Sequence, residues 1–323
     1  MRPVSVPGSF RQTVERYGLI PTGSSVLVAV SGGADSVCLF DLLLAVRRRM
    51  RLKLFGFHMN HKLRRSAGQD ESFVRRLFQE ARVDLKVVRS DVSRYAHRHR
   101  LGVEEAGREL RYRHLRTTAR RFDCNVVALG HNADDNLETV LLNLCRGTGP
   151  HGMAGIPAKR GMFVRPLIDA ERPDIVRYLT ARGREWVEDE SNIDPEYRRN
   201  LLRARVVPAL RDVNARAVTN ARRASGLAVD EDRFLDELAS GAIAEAVTRK
   251  RCRTLIDPRK LGKYNTVLKR RAVKMLLPEL DSQAVETMLG FLERRTRSCR
   301  LVLGRNTMRR DGEIIELKRI DAR

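Results

Sequence analysis

Two periodicities alternate along the first two-thirds of the chain. "SVLVAV" at 25–30 is a continuous apolar run of strand length, and behind it Val37, Phe40, Leu43 and Leu44 fall at helical spacing over 36–48. The pattern repeats. Strand-like runs at 53–59, 84–89, 125–131 and 163–168 are separated or followed by helical segments at 68–82, 104–120, 134–147 and 171–182. Alternation of this kind predicts an α/β fold: a Rossmann-like, doubly wound parallel sheet of about five strands with helices on both faces.

Beyond about residue 215 the alternation stops. Residues 221–296 read as helices only, rich in Arg, Lys, Ala and Leu. The tail changes again, with "CRLVLG" at 299–304, "NTMRR" at 306–310, Asp311-Gly312, and "EIIELKR" at 313–319. Asp-Gly between two strand-like runs signals a hairpin. The expected organisation is an α/β domain over 1–215 and a smaller, mostly helical domain over 216–323 that ends in a β-hairpin.

Charge adds a partner to this picture. The 323 residues carry 63 Lys and Arg against 40 Asp and Glu, a formal net charge of +23. Such a surplus suits a polyanion, although an Arg-rich composition alone also raises the charge. Aromatics are 5% of residues, so phosphate contacts are expected to outweigh base stacking. The five cysteines are scattered without a CxxC, which suggests a reducing compartment and no zinc knuckle. The N-terminus lacks a signal-peptide core, and no apolar stretch is long enough to span a bilayer. The expected location is the cytoplasm, without a membrane.

Two stretches carry the chemistry. "SGGADS" at 31–36 joins the first strand to its helix. Its paired glycines let backbone N–H groups approach an anion, and the helix adds its positive end. No GK[ST] and no GxGxxG is present, so it is neither a Walker loop nor a dinucleotide fingerprint. Further on, Asp135 and Glu138 share one helical face with Thr139. Two such carboxylates suit an ammonium group, a magnesium ion or proton transfer from an amine. Asp134 is the expected helix cap. Arg199 and Arg203 are one helical turn apart and suit phosphate. His131 ends a strand, while His58 and His61 are too weak a pair to read as metal ligands. The glycine-rich loop at 146–155 suits a flap over the substrate or an ordinary connection.

The loop resembles the SGGxDS signature of the PP-loop ATP pyrophosphatase superfamily. Further segments resemble tRNA(Ile)-lysidine synthetases: "HMNHKLRRSA" (58–67), "EEAGRELRY" (104–112), "LGHNADDNLETVLLNLCRGTGPHGMAGIP" (129–157) and "WVEDESNIDPEYRRNLLRARVVPAL" (186–210). Gly107 stands where that family usually has alanine. The resemblance implies that Ser31, Gly32, Gly33, Ala34, Asp35 and Ser36 hold ATP, with Asp35 placing magnesium. It implies catalytic roles for Asp35, Asp135, Glu138 and Arg203, and a lysine-binding role for Asp135 and Glu138. Arg64, Arg108, Arg111 and Arg199 are the implied RNA contacts. The implied substrates are ATP, free L-lysine and tRNA(Ile) with a CAU anticodon. A homodimer is left open.

Other classes remain open. A PP-loop tRNA thiolation enzyme would need sulfur-carrying cysteines, for which Cys38 and Cys145 are the candidates. A small-molecule amide-forming synthetase fits poorly with +23. A non-catalytic ATP-sensing RNA-binding protein would not need the acidic pair. The acidic run Glu188, Asp189, Glu190 is the second candidate for a lysine pocket.

Overall fold

The computed structural model describes residues 5–61, 67–188, 198–250, 253–294, 296 and 298–319. The chain divides into two compact units, Met1–Gly226 and Leu227–Arg323.

The first unit begins with helix α1 (Val6–Arg16) and strand β1 (Ser25–Ala29), followed by α2 (Ala34–Val46), β2 (Lys53–Asn60), α3 (Ala67–Glu80) and β3 (Leu85–Arg89). It continues through α4 (Val92–His99), α5 (Val103–Arg121), β4 (Val126–Ala128), α6 (Ala133–Cys145) and the one-turn α7 (Pro150–Met153). Strands β5 (Lys159–Arg160) and β6 (Phe163–Val164) come next, then α8 (Arg172–Ala181) and α9 (Arg198–Leu201). A π-helical turn (Leu202–Val206) leads into α10 (Val207–Val213), and α11 (Ala217–Ala246) contains the division between the units.

The strands form one sheet in the order β3-β2-β1-β4-β6-β5, all parallel except the edge strand β5. Both faces are covered, which is why β1 is apolar at consecutive positions. Val26 and Val28 pack on one side with Phe40, Val74, Phe78 and Ile175. Leu27 packs on the other with Phe57, Leu115 and Val127. Phe78 stacks on Phe40 with ring centres 4.2 Å apart. Truncating so enclosed an aromatic to alanine costs about 3–5 kcal/mol. The expected fifth strand, 163–168, ends at Val164, because Pro166 has no N–H to donate to a ladder.

The second unit corrects the reading of 221–296 as helices alone. Strands β7 (Val247–Lys250) and β8 (Arg253–Ile256) lie between α11 and three helices, α12 (Pro258–Gly262), α13 (Thr266–Leu276) and α14 (Ser282–Glu293). They join β9 (Ser298–Leu303), β10 (Asn306–Asp311) and β11 (Ile314–Arg319) in an antiparallel sheet ordered β7-β8-β11-β10-β9. In "VTRK" and "RTLI" the basic residues hide the alternation, since Arg and Lys fit a helix surface as well as a sheet face. The expected hairpin is present: Asp311 pairs with Ile314 across Gly312, whose φ is +62°. Ile256, Met308, Ile315 and Leu317 bury the inner face against Val273, Met288 and Leu292.

Candidate active site

The chain builds β1, β2 and β3 outward in one direction, then returns to place β4 on the other side of β1. That reversal leaves a crevice at the carboxyl ends of β1 and β4, where α/β sheets bind ligands. The loop after β1 is 31–36; the loop after β4 runs from Gly130 to Asn132. The two touch closely. A Cβ at Gly130 would lie 3.1 Å from the Ser36 amide nitrogen and 3.2 Å from the Asp35 carbonyl, so only glycine seats there without a shift. A cavity of about 190 Å³ opens between them, lined by Ser31, Gly33, Asp35, His61, Arg111 and His131 among others. A larger cavity of about 640 Å³ lies elsewhere, between α1, α2 and α8, and includes no residue of the 31–36 loop.

The first loop is held by its own hydroxyls. Ser36 donates from Oγ to the Gly33 carbonyl (2.8 Å) and accepts from the Ser31 amide (3.2 Å). That leaves the Ser31 hydroxyl to donate to Ser36 Oγ (3.2 Å), and Ser31 Oγ accepts from the Gly33 amide (3.4 Å). Asp35 stands in the first turn of α2, where the helix dipole favours an anion. Its carboxylate accepts from Asn132 Nδ2 (3.0 Å) and from Arg172 Nη1. Burial raises its pKa, while Arg172 and Asn132 draw it back.

Helix α6 presents the second acidic group. Asn132, not Asp134, is its cap: the Asn132 side chain accepts from the Asp135 amide (2.9 Å), and Asp135 Oδ2 accepts from the Asn132 amide (3.0 Å). Asp134 instead accepts from the Arg172 amide (2.8 Å) and from Arg211 (2.7 Å). Asp135 and Glu138 converge as expected, and a cation already bridges them. Arg203 donates from Nε to Glu138 (2.8 Å) and from Nη2 to Asp135 (3.2 Å). Arg203 sits on the π-helical turn, whose extra residue per turn shifts side-chain direction along the helix. Glu138 is only 2% exposed. Burial pushes Asp135 up to about 7, with Asp35 and Glu138 adding to the rise.

A group of cations gathers around His131, which lines the cavity. Arg108 and Arg111 lie over the Tyr112 ring, at 5.0 and 5.7 Å from its centre. Buried Arg165 donates to Tyr112 Oη (3.3 Å) and to the Pro157 carbonyl (2.7 Å). Arg111 Nε, Arg165 Nε and His131 Nδ1 are buried with no partner among the described residues. Burial, followed by Arg111, Arg165, Arg108 and Arg199, pushes the His131 pKa well down, so its ring is neutral at pH 7. His58 is also neutral, and its Nδ1 donates to the Val30 carbonyl at 2.9 Å.

The site residues named from sequence therefore divide. Ser31, Gly33, Asp35 and Ser36 line one cavity; Gly32 and Ala34 shape its loop. Arg111 lines the same cavity, and Arg108 shares the Tyr112 ring with Arg111. Arg199, on α9, lies 3.9 Å from Glu104. Arg64, Asp189 and Glu190 lie outside the described residues. The 146–155 loop carries α7 and is tied back by Asn143, which donates to the Gly152 carbonyl (3.0 Å). Sequence reasoning missed Arg172, Arg165 and Asn132. Nothing local marks the two arginines. Asn132 had a signal, a capping residue followed three positions later by an acid.

The PP-loop domain family matches residues 8–210. A tRNA(Ile)-lysidine synthase of Thermosipho africanus is 37% identical over 64% of this chain and 48% of its own length. One from Caldanaerobacter subterraneus is 31% identical over 89% of this chain and 63% of its own. One from Geobacillus kaustophilus is 32% identical over 88% and 64%. The chain thus spans about half to two-thirds of the length of these relatives. The U34-tRNA thiolase NcsA of Methanococcus maripaludis, solved with its 4Fe–4S cluster, shares the fold: TM-score 0.59 at 15% identity, over 70% of this chain and 78% of that one. With a parallel sheet, an SGGADS loop at its switch point and a family match over most of the first unit, the chain belongs to the PP-loop domain family.

Proposed function

We propose that this chain is a cytoplasmic tRNA(Ile)-lysidine synthetase, an ATP-dependent carbon–nitrogen ligase acting on tRNA(Ile) with a CAU anticodon. In this reading the wobble cytidine 2-carbonyl oxygen attacks the ATP α-phosphorus and pyrophosphate leaves. The lysine ε-amine then attacks C2, AMP leaves with the oxygen, and the amine protons are lost. The modified base pairs with A rather than G, so the tRNA carries isoleucine rather than methionine.

One observation carries the reading: the PP-loop shares a cavity with Arg111, whose Nε is buried without a partner among the described residues, and Asn132 links Asp35 of the loop to Asp135 at the start of α6. Backbone N–H groups of the loop and the α2 terminus suit the leaving pyrophosphate. Arg111 and Arg165 suit the phosphates or the developing negative charge. Asp35 would hold magnesium together with phosphate oxygens, since that ion usually takes only one or two protein carboxylates. Bound there, the ion would neutralise charge on the leaving group. Asp135, with a pKa of about 7, suits accepting a proton from the lysine amine. Glu138 suits the lysine cation, which would share it with Arg203. The basic surplus suits tRNA phosphates, and much of that binding is assigned to the second unit.

The buried cysteines speak for ligation over thiolation, whereas Cys145, the other candidate, is exposed. Cys38 is enclosed in α2 and burial pushes its thiol far up, while Cys124 is pushed up to about 11. Neither suits a thiolate sulfur carrier.

The test is incubation with ATP, radiolabelled lysine and tRNA, followed by nucleoside analysis. Label in a modified cytidine is expected, with Asp35→Ala abolishing pyrophosphate release but keeping tRNA binding. Glu138→Gln is expected to keep some adenylation and lose lysine transfer by more than ~30-fold. ATP turnover with no label in cytidine would sink the proposal.

A further inference from the structure

We infer that residues 184–188 form a strap that aims the PP-loop at the pyrophosphate portion of ATP, with Arg184 and Val187 as positioning residues. This rests on the reading that the 31–36 loop holds ATP.

The strap is fixed at two points. At its start, Arg184 donates from Nε to Asp41 Oδ1 at 2.8 Å. Asp41 lies within α2 and is 5% exposed. Its other oxygen accepts from Tyr178 Oη (2.7 Å) and pairs with Arg182 Nε (2.9 Å). A carboxylate buried in an apolar core is strongly disfavoured unless paired in this way. Asp41 does not line the crevice, so the crevice chemistry does not account for it.

At the other end, the Val187 amide donates to the Gly32 carbonyl at 2.9 Å. Val187 Cγ2 lies 3.5 Å from where a Gly32 Cβ would stand, with Val74 and Phe73 of α3 at 3.6 and 3.7 Å. Between the two points Trp186 packs on the main core. Gly32 itself has φ +105°, a conformation that other residues rarely adopt.

The consequence follows from peptide geometry. The described peptides are all trans, so the Gly32 carbonyl and the Gly33 N–H point in opposite directions. Val187 holds the carbonyl outward. The Gly33 N–H is thereby turned toward Ser31 Oγ and the cavity that Ser31 and Gly33 line. Without the strap, that peptide is free to rotate and aim its oxygen at the phosphates. Asp41 thus acts on the loop through Arg184, although it touches neither the loop nor the ligand.

The test uses the full chain and equilibrium dialysis with radiolabelled ATP, inorganic pyrophosphate and AMP as separate probes. Val187→Pro removes the N–H that reaches Gly32 and is expected to weaken ATP and pyrophosphate about ten-fold, the scale of one hydrogen bond to a charged group. AMP affinity and the KM for tRNA should stay within about two-fold, within the variation of an undisturbed site. Val187→Ala, which keeps the N–H, should behave as the parent. Arg184→Ala should follow Val187→Pro, and Arg184→Lys should restore part of the loss. The inference is overturned if Val187→Pro and Arg184→Ala bind pyrophosphate like the parent, or lose AMP and pyrophosphate together. A parent chain that binds no ATP would overturn the ATP reading beneath it.

Discussion

Arg172, at the start of α8, donates to the Asp35 carboxylate at the start of α2, across 137 residues of sequence. The pair joins the two helix N-termini that flank the crevice. It also sets the charge state of the carboxylate assigned to magnesium. Burial raises the Asp35 pKa, and Arg172 is the largest influence lowering it.

Arg172→Gln should therefore shift the acid limb of the pH–rate profile. With Arg172 gone, Asp35 takes up its proton at a higher pH, so activity is lost earlier as pH falls. A profile of kcat/KM for ATP between pH 5 and 9 checks this. An unmoved acid limb would mean that Asp35 does not need to be ionised.

Asp135→Asn should stabilise the chain above neutrality and inactivate it. The folded pKa of about 7 lies above the value of about 3.9 for a free aspartate. The contribution of Asp135 to stability is thus fully present below about pH 4 and is lost as pH rises through about 7. Asparagine keeps the capping contact with the Asn132 amide and removes the half-buried charge. Urea unfolding should show a gain of about 1–3 kcal/mol at pH 8 and little at pH 4.

Arg203→Ala and Glu138→Gln should couple. Removing Arg203 leaves Glu138 charged and buried, which should cost about 2–4 kcal/mol after discounting for the exposed face of the arginine. Making both changes should cost less than the sum, because the glutamine no longer carries a stranded charge. A double-mutant cycle in urea measures the coupling. Additive costs would mean that the pair is held apart in solution.

Gly107→Ala should be stabilising. Gly107 is inside α5, and an added Cβ would meet Val92 at 3.5 Å and His61 at 3.6 Å, both ordinary contacts. The gain in helix propensity is about 0.5–1 kcal/mol. Thermal unfolding of the two chains side by side checks it. A lower Tm in the variant would show that the α5–α4 packing has no room for a methyl group.

The local periodicities of the sequence determined the parallel α/β unit, because each buried strand and amphipathic helix declares its face within a few residues. The Asp-Gly turn declared the last hairpin for the same reason, since φ +62° at Gly312 is a local demand. The SGGADS loop was legible because phosphate binding needs glycine and a helix start at fixed spacing. Asp135 and Glu138 were legible because helical spacing puts them on one face. Strands β7 and β8 were not, because basic residues satisfy a helix surface and a sheet face equally. What only the tertiary structure decided is which charges meet. Arg172 reaches Asp35, Arg203 bridges Asp135 and Glu138, and Arg111 faces the cavity rather than the outer surface. In a chain with 63 basic residues, sequence spacing does not say which arginine a carboxylate finds. The reversal of strand order at β1 does, by bringing distant helix ends to one crevice.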